Sequence, residues 1–149
     1  MALWQISFDI IKKSNVEEIK RGNLEEKIDK MLLWCSSDVS LSAIRRIEKY
    51  FGIGKSWSKK LKVFGSLEST AIEIFNVDEM SCEMSCRYSV IEHEPDALLE
   101  IISFIKEIDG VAFYGNQVYE PEFEVFLKLI RSSEAARFIV QQKDYFNNK

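Results

Sequence analysis

Apolar residues recur along this chain with two different periods, and the period changes twice. From Asn23 the run NLEEKIDKMLLWCSS places Leu24, Ile28, Met31, Leu32 and Cys35 on one helical stripe. Asn23 stands where an N-cap belongs, and Glu26 completes a capping-box spacing. LSAIRRIEKYFG follows with Leu41, Ile44, Ile47 and Phe51 at helical spacing, Ser40 as N-cap and Gly52 as the residue just past the helix. NVEEIKRG, ahead of both, reads as a further helical turn ended by Gly22. The opening LWQISFDI fits a strand or a piece of helix, and its periodicity does not choose between them.

In the middle third the period drops to two. KKLKVFG, TAIEIFNVD and CEMSCRYSV read as three strands joined by turns at Gly65-Ser66 and Asp78-Glu79. The third alternates cleanly, with Cys82, Met84, Cys86, Tyr88 and Val90 on one side and Glu83, Ser85, Arg87 and Ser89 on the other. Helical spacing then returns. EPDALLEIISFIKEIDG has Pro95 and Asp96 in its first turn, Gly110 past its end, and Leu98, Ile101, Ile102, Ile105 and Ile108 facing inward. VAFYG is a short candidate strand, and NQVYEP leads back to a helix in PEFEVFLKLIRSS, with Phe123, Phe126, Leu127 and Ile130 buried. EAARFIV adds a last helical turn or two before a fraying tail, QQKDYFNNK. The expected fold is α+β, in a single domain over residues 1–149. Its parts are N-terminal helices in about 15–52, a central antiparallel meander in about 59–91, and C-terminal helices in about 95–140 that cover one face of the sheet.

Composition narrows the class. A chain of 149 residues, 46% hydrophobic and 30% charged, buries a substantial core and lies far from disordered composition. Two prolines and six glycines leave no linker. In MALWQISFDIIKK the positive charges follow the apolar run and Asp9 interrupts it, unlike a secretory signal. No apolar run approaches the roughly 20 residues of a membrane helix. Three cysteines, an odd number, suit reduced thiols. On one strand Cys82 and Cys86 stand roughly 13 Å apart, too far for a disulfide or a shared metal. The expectation is a cytoplasmic protein with no membrane segment.

Three stretches invite a chemical reading. FGIGKSW ends like a phosphate-binding loop, but Lys49 occupies the position of that motif's first glycine. A helix also precedes the stretch and a strand follows it, the reverse of the required order. His93 is the sole histidine and sits in a turn with Glu92 and Glu94, which gives no metal set and no catalytic assignment. Lys55, Lys59, Lys60 and Lys62 surround Trp57 and could track a phosphate backbone. The net charge of −4 and the placement of Lys60 and Lys62 on one face of an early strand favour protection of a sheet edge. No catalytic residue, cofactor, metal or nucleic-acid partner is expected.

Charge is divided unevenly. Between Glu73 and Glu124 stand thirteen acids against Arg87 and Lys106, a net −11. Glu73, Asp78, Glu79, Glu83, Glu92, Glu94, Glu120 and Glu122 are therefore the candidate partner-binding residues, several of them in connections. Such a cluster steers a basic partner. Acids near helix starts also complement helix dipoles and keep a protein soluble, and sequence leaves both readings open.

A small, acidic domain of this kind resembles the immunity proteins of bacterial contact-dependent inhibition and other polymorphic toxin systems. The three-strand run followed by PDALLEIISFIKEIDG and YEPEFEVFLKLIRSSEAARFIV is similar in layout to small bacterial proteins found in such settings. The resemblance covers about the last ninety residues as an order of elements and assigns no residue a role. It implies a non-catalytic protein that binds a cognate toxin domain, often a basic nuclease, and blocks its active site or substrate path. Two alternatives stand beside it. One is an adaptor or homo-oligomer that uses an apolar patch drawn from Trp4, Phe8, Trp34, Trp57 and Tyr119. The other is a small hydrolase in which His93 meets a Cys or Ser.

Overall fold

The structure, a computed structural model, describes residues 3–16, 32–92 and 94–147. Its strands are β1 (Gln5–Lys12), β2 (Leu33–Cys35), β3 (Leu61–Gly65), β4 (Ala71–Asn76), β5 (Ser81–Ser89), β6 (Gly110–Tyr114) and β7 (Gln117–Tyr119). The helices described are α1 (Leu41–Phe51), α2 (Pro95–Glu107), α3 (Phe123–Ser132) and α4 (Glu134–Asn147). All seven strands join one antiparallel sheet in the order β3-β4-β5-β1-β6-β7, with β2 pairing the start of β5. The fold class is α+β.

The period of two in β1 and β5 decides how the sheet is covered. Ile6, Phe8, Ile10, Cys82, Met84, Cys86 and Tyr88 are buried in the main core with Phe64, Ile72 and Ile74. The helices complete that core with Ala43 and Ile47 of α1, Leu98, Ile101, Ile102, Phe104 and Ile105 of α2, and Phe126, Leu129 and Ile130 of α3. Phe8 and Phe126 meet edge to face with ring centres 5.6 Å apart. The opposite face carries two smaller apolar groups. Leu61, Val63 and Ala71 form one and Ile11, Val111 and Phe113 the other. The residues between them are polar.

The sheet splits along β1. Its first half pairs with β5, and from Asp9 onward it also pairs with β6. After Ile10 it leaves β5, and Leu33, Trp34 and Cys35 take its place opposite Glu83, Cys82 and Ser81. The buried indole N–H of Trp34 donates to the Ile10 carbonyl at 2.8 Å, which satisfies both groups where the strands part.

Gly-Ile-Gly in the former phosphate-loop candidate closes a sheet edge. Ser40 caps α1 by accepting from the Ala43 N–H, and Gly52, at φ 73°, ends the helix. Ile53 bridges Phe64, and the Gly54 N–H donates to the Val63 carbonyl at 2.8 Å. A Cβ on Gly54 would stand 1.9 Å from the Gly65 carbonyl oxygen, so the close approach of the two backbones requires glycine. Lys60 lies just before β3 and Lys62 on it, at this edge and exposed.

Several expectations are corrected. The sheet extends well beyond 59–91, because β1, β2, β6 and β7 belong to it. The reading of 15–52 as helical holds for α1, but Leu33–Cys35 is a strand and Cys35 is exposed on it. A three-residue strand shows no period of its own, and its apolar residues extended the preceding stripe. NQVYEP contains β7, reached through a tight turn in which Gly115 and Asn116 both have positive φ. The expected tail continues α4 as far as Asn147. The predicted capping box at Asn23, the stripe from Leu24 to Met31, NVEEIKRG and His93 lie outside the described residues. No described helix is long and apolar enough to cross a membrane.

Candidate functional site

Antiparallel connections scatter the acids that the sequence runs together. Asp78 and Glu79 form the β4–β5 turn, at one end of the sheet. Asp78 has a local task there, since its Oδ1 accepts from the Met80 and Ser81 N–H groups at 2.7 and 2.8 Å. Glu120 and Glu122 follow β7 at the same end, three strand positions from β5, or about 14 Å away. Glu120 pairs with Lys13 at 3.7 Å, both side chains being exposed. Glu92 and Glu94 follow β5 at the opposite end, some 30 Å along the strand. They border a depression of about 440 Å³ lined by Tyr50, Phe51, Ser66, Ser69 and Thr70. Glu92 accepts from the Ser69 hydroxyl. The Tyr50 phenol titrates above its ordinary range through burial, and then through the charges of Asp96, Glu94 and Glu100.

Glu73 and Glu83 meet on the polar face of the sheet. The strand register sets Val63, Glu73, Ser85, Asp9, Phe113 and Val118 in one row across six strands. Ser85 is the centre of two diagonals. Two residues along β5, Arg87 reaches Glu73 through two bonds, Nε to Oε2 at 3.1 Å and the terminal nitrogen to Oε1 at 3.3 Å. Ser85 Oγ donates to the same carboxylate at 3.2 Å. Glu73 is only 8% exposed, so this ion pair, rather than a partner, accounts for its charge. On the other diagonal Asp9 faces Glu83, two residues along β5 in the opposite direction.

The second diagonal is not balanced. Burial raises the Asp9 carboxyl above its usual range, and the charge of Glu83 adds to the effect. Neither carboxylate has a salt bridge among the described residues. Trp57 and Phe75 wall the same cleft, stacked with ring centres 6.5 Å apart. Trp57 is 72% exposed. The cleft measures about 300 Å³, with Leu61, Phe75 and Trp57 on one side and Asp9, Glu73, Glu83, Ser85 and Arg87 as its polar lining. A half-buried carboxyl raised above its ordinary range, with a second carboxylate and an exposed indole in the same cleft, is the pattern of a binding site.

Asp9, Arg87 and Trp57 were not among the expected site residues. Alternation across β5 does assign Arg87, Ser85 and Glu83 to one face, and Ser7 and Asp9 alternate with Ile6, Phe8 and Ile10 in the same way. Of the aromatics considered for an apolar patch, Phe8 and Trp34 are buried, while Trp4 and Trp57 belong to opposite ends of the sheet. Cys82 and Cys86 are buried thiols raised above their usual range by burial, and Cys35 is exposed. Among the described residues no group of three His, Cys, Asp or Glu side chains is placed to hold a metal ion. No protein-family model, curated protein or solved structure matches this chain.

Proposed function

We propose that this chain is a non-catalytic binding protein that neutralises a basic protein partner, in the manner of an immunity protein acting on a toxin domain. One observation carries the reading: the sheet face presents Asp9 and Glu83, neither of them in a salt bridge among the described residues, in one cleft with an exposed Trp57. Carboxylates on this face would stand in for the phosphates that a nuclease-like partner holds. Occupation of the partner's substrate surface would then be enough to inhibit it. The acids at both ends of the sheet add a field that speeds encounter at low salt. The action belongs in the cytoplasm and involves neither nucleic acid nor membrane on the part of this chain.

The test is co-expression with the protein encoded beside it in its genome. The expected result is restored growth and a complex that survives gel filtration but weakens as salt rises. A neighbour that stays toxic and elutes separately contradicts the proposal. The alternative of association through apolar surface draws on Trp57, Val77 and Met80, all exposed and all at the end of the sheet where β4 turns into β5. A complex held together that way would be insensitive to salt or strengthened by it.

A further inference from the structure

We infer that the cleft on the polar face of β1, β3, β4 and β5 receives an arginine side chain of the partner, held between the Trp57 ring and the carboxylates of Asp9 and Glu83. The inference rests on the proposed function for the existence of a basic partner and adds the site and the residue it takes. The sheet already shows how this face holds a guanidinium. Arg87 lies diagonally across from Glu73 and meets it with two N–H bonds, and the pair is mostly buried. Asp9 and Glu83 are set by the same diagonal step from the same central Ser85, but both are acids.

Like charges across neighbouring strands destabilise a sheet, and diagonal neighbours are close enough to share one bound group. A cation between them removes that cost and gains a hydrogen bond to each. The register sets Glu83 diagonally from Asp9 in the same cleft, and its charge acts in the same direction as burial on the Asp9 carboxyl. Trp57 selects the kind of cation. Its ring is exposed, stacks on Phe75 and lines the cleft beside it, which offers aromatic surface there. A guanidinium is planar, weakly hydrated and able to stack while its edge donates to two carboxylates. An ammonium offers no such plane. Among the described residues the lining carries three carboxylates against one guanidinium, a negative balance that favours a cation and disfavours an acidic segment.

Calorimetry of the full chain with hexa-arginine, hexa-lysine and hexa-glutamate in low salt tests this. Saturable binding of hexa-arginine is expected, about tenfold tighter than hexa-lysine, with no binding of hexa-glutamate. Asp9→Asn with Glu83→Gln should weaken hexa-arginine about tenfold, and Trp57→Leu about fivefold. Glu92→Gln with Glu94→Gln, at the far end of the sheet, should change it less than about twofold. Thermal melts no lower than wild type's establish that the Asp9/Glu83 variant is folded.

Several results would overturn the inference. They are equal affinity for the two basic peptides, equal loss from the Glu92/Glu94 variant, no binding at all, or a chain dimer that dissociates on Trp57→Leu. If the Asp9/Glu83/Trp57 variant still neutralises the co-expressed partner, this inference fails and the proposed function stands. If hexa-arginine binds as expected but no partner is neutralised, the proposed function fails and the arginine site stands.

Discussion

Replacing Arg87 by Met removes the one cation that lines the cleft among the described residues and leaves Glu73 buried, with the Ser85 hydroxyl as its remaining partner among them. Breaking a fully buried ion pair in this way costs about 3–5 kcal/mol, because the surviving charge stays desolvated. The carboxylate side chain is 10% exposed and the guanidinium 24%, so water offsets part of the loss and about 2–3 kcal/mol is expected. For a chain of 149 residues that lowers the melting temperature by roughly 5–10 °C. Adding Glu73→Gln to Arg87→Met removes the stranded charge, and the double variant should return to within about 1 kcal/mol of wild type. Urea unfolding followed by circular dichroism measures both, with an unchanged denaturant slope as the sign that the fold is the same. A loss below about 1 kcal/mol in the single variant, or a double variant no better than it, would refute the claim that Glu73 is held for its partner.

Other consequences are equally specific. Asp9→Asn should stabilise the protein at pH 7, because a carboxyl raised in the folded state destabilises the fold wherever it is ionised. That advantage is fully present above the raised pKa and closes as pH falls through it towards the ordinary 3.8; thermal melts showing a gap that widens on acidification would contradict it. Glu83→Lys should also raise stability, by up to about 1 kcal/mol, by turning a like-charged diagonal into an ion pair, and a lowered melting temperature counts against the diagonal. Gly54→Ala should cost about 1–3 kcal/mol by forcing Ile53–Gly54 off the β3 edge, whereas Gly115→Asn, with open space and a left-handed φ, should stay within about 0.5 kcal/mol in the same assay.

How much of this could be read from the chain follows from where the physics is local. Cys82, Met84, Cys86 and Tyr88 alternate with polar residues over nine positions, long enough to fix which face is covered, and all four are buried. The helices over Pro95–Glu107 and Phe123–Ser132 were legible for the same reason. β1 was ambiguous because Ile10 and Ile11 are both fully buried, one in each of two cores, which breaks the alternation that Ile6 and Phe8 begin. β2 was hidden by its length and by Trp34, whose apolar ring continues a helical stripe although its N–H serves the Ile10 carbonyl.

The candidate site was less legible, because charge counted along a chain ignores the turns. Asp78 and Glu92 belong to one acidic stretch of the sequence, yet β5 carries them to opposite ends of the sheet. Glu73 is an acid in sequence and half of a buried ion pair in the fold. Asp9 belongs to the site only because β1, from the far end of the chain, lies beside β5.

The central claim is that the polar sheet face, and not the chain's acidity in general, meets a basic partner. Amide chemical-shift mapping of the ¹⁵N-labelled chain with the protein encoded beside it tests that most directly. Shifts should concentrate at Asp9, Glu73, Glu83, Ser85 and Arg87 and at the Trp57 indole, and should vanish in the Asp9→Asn/Glu83→Gln/Trp57→Leu variant. Shifts confined to α1, α2 and the Glu92–Glu94 end, with the cleft unmoved, would contradict the account.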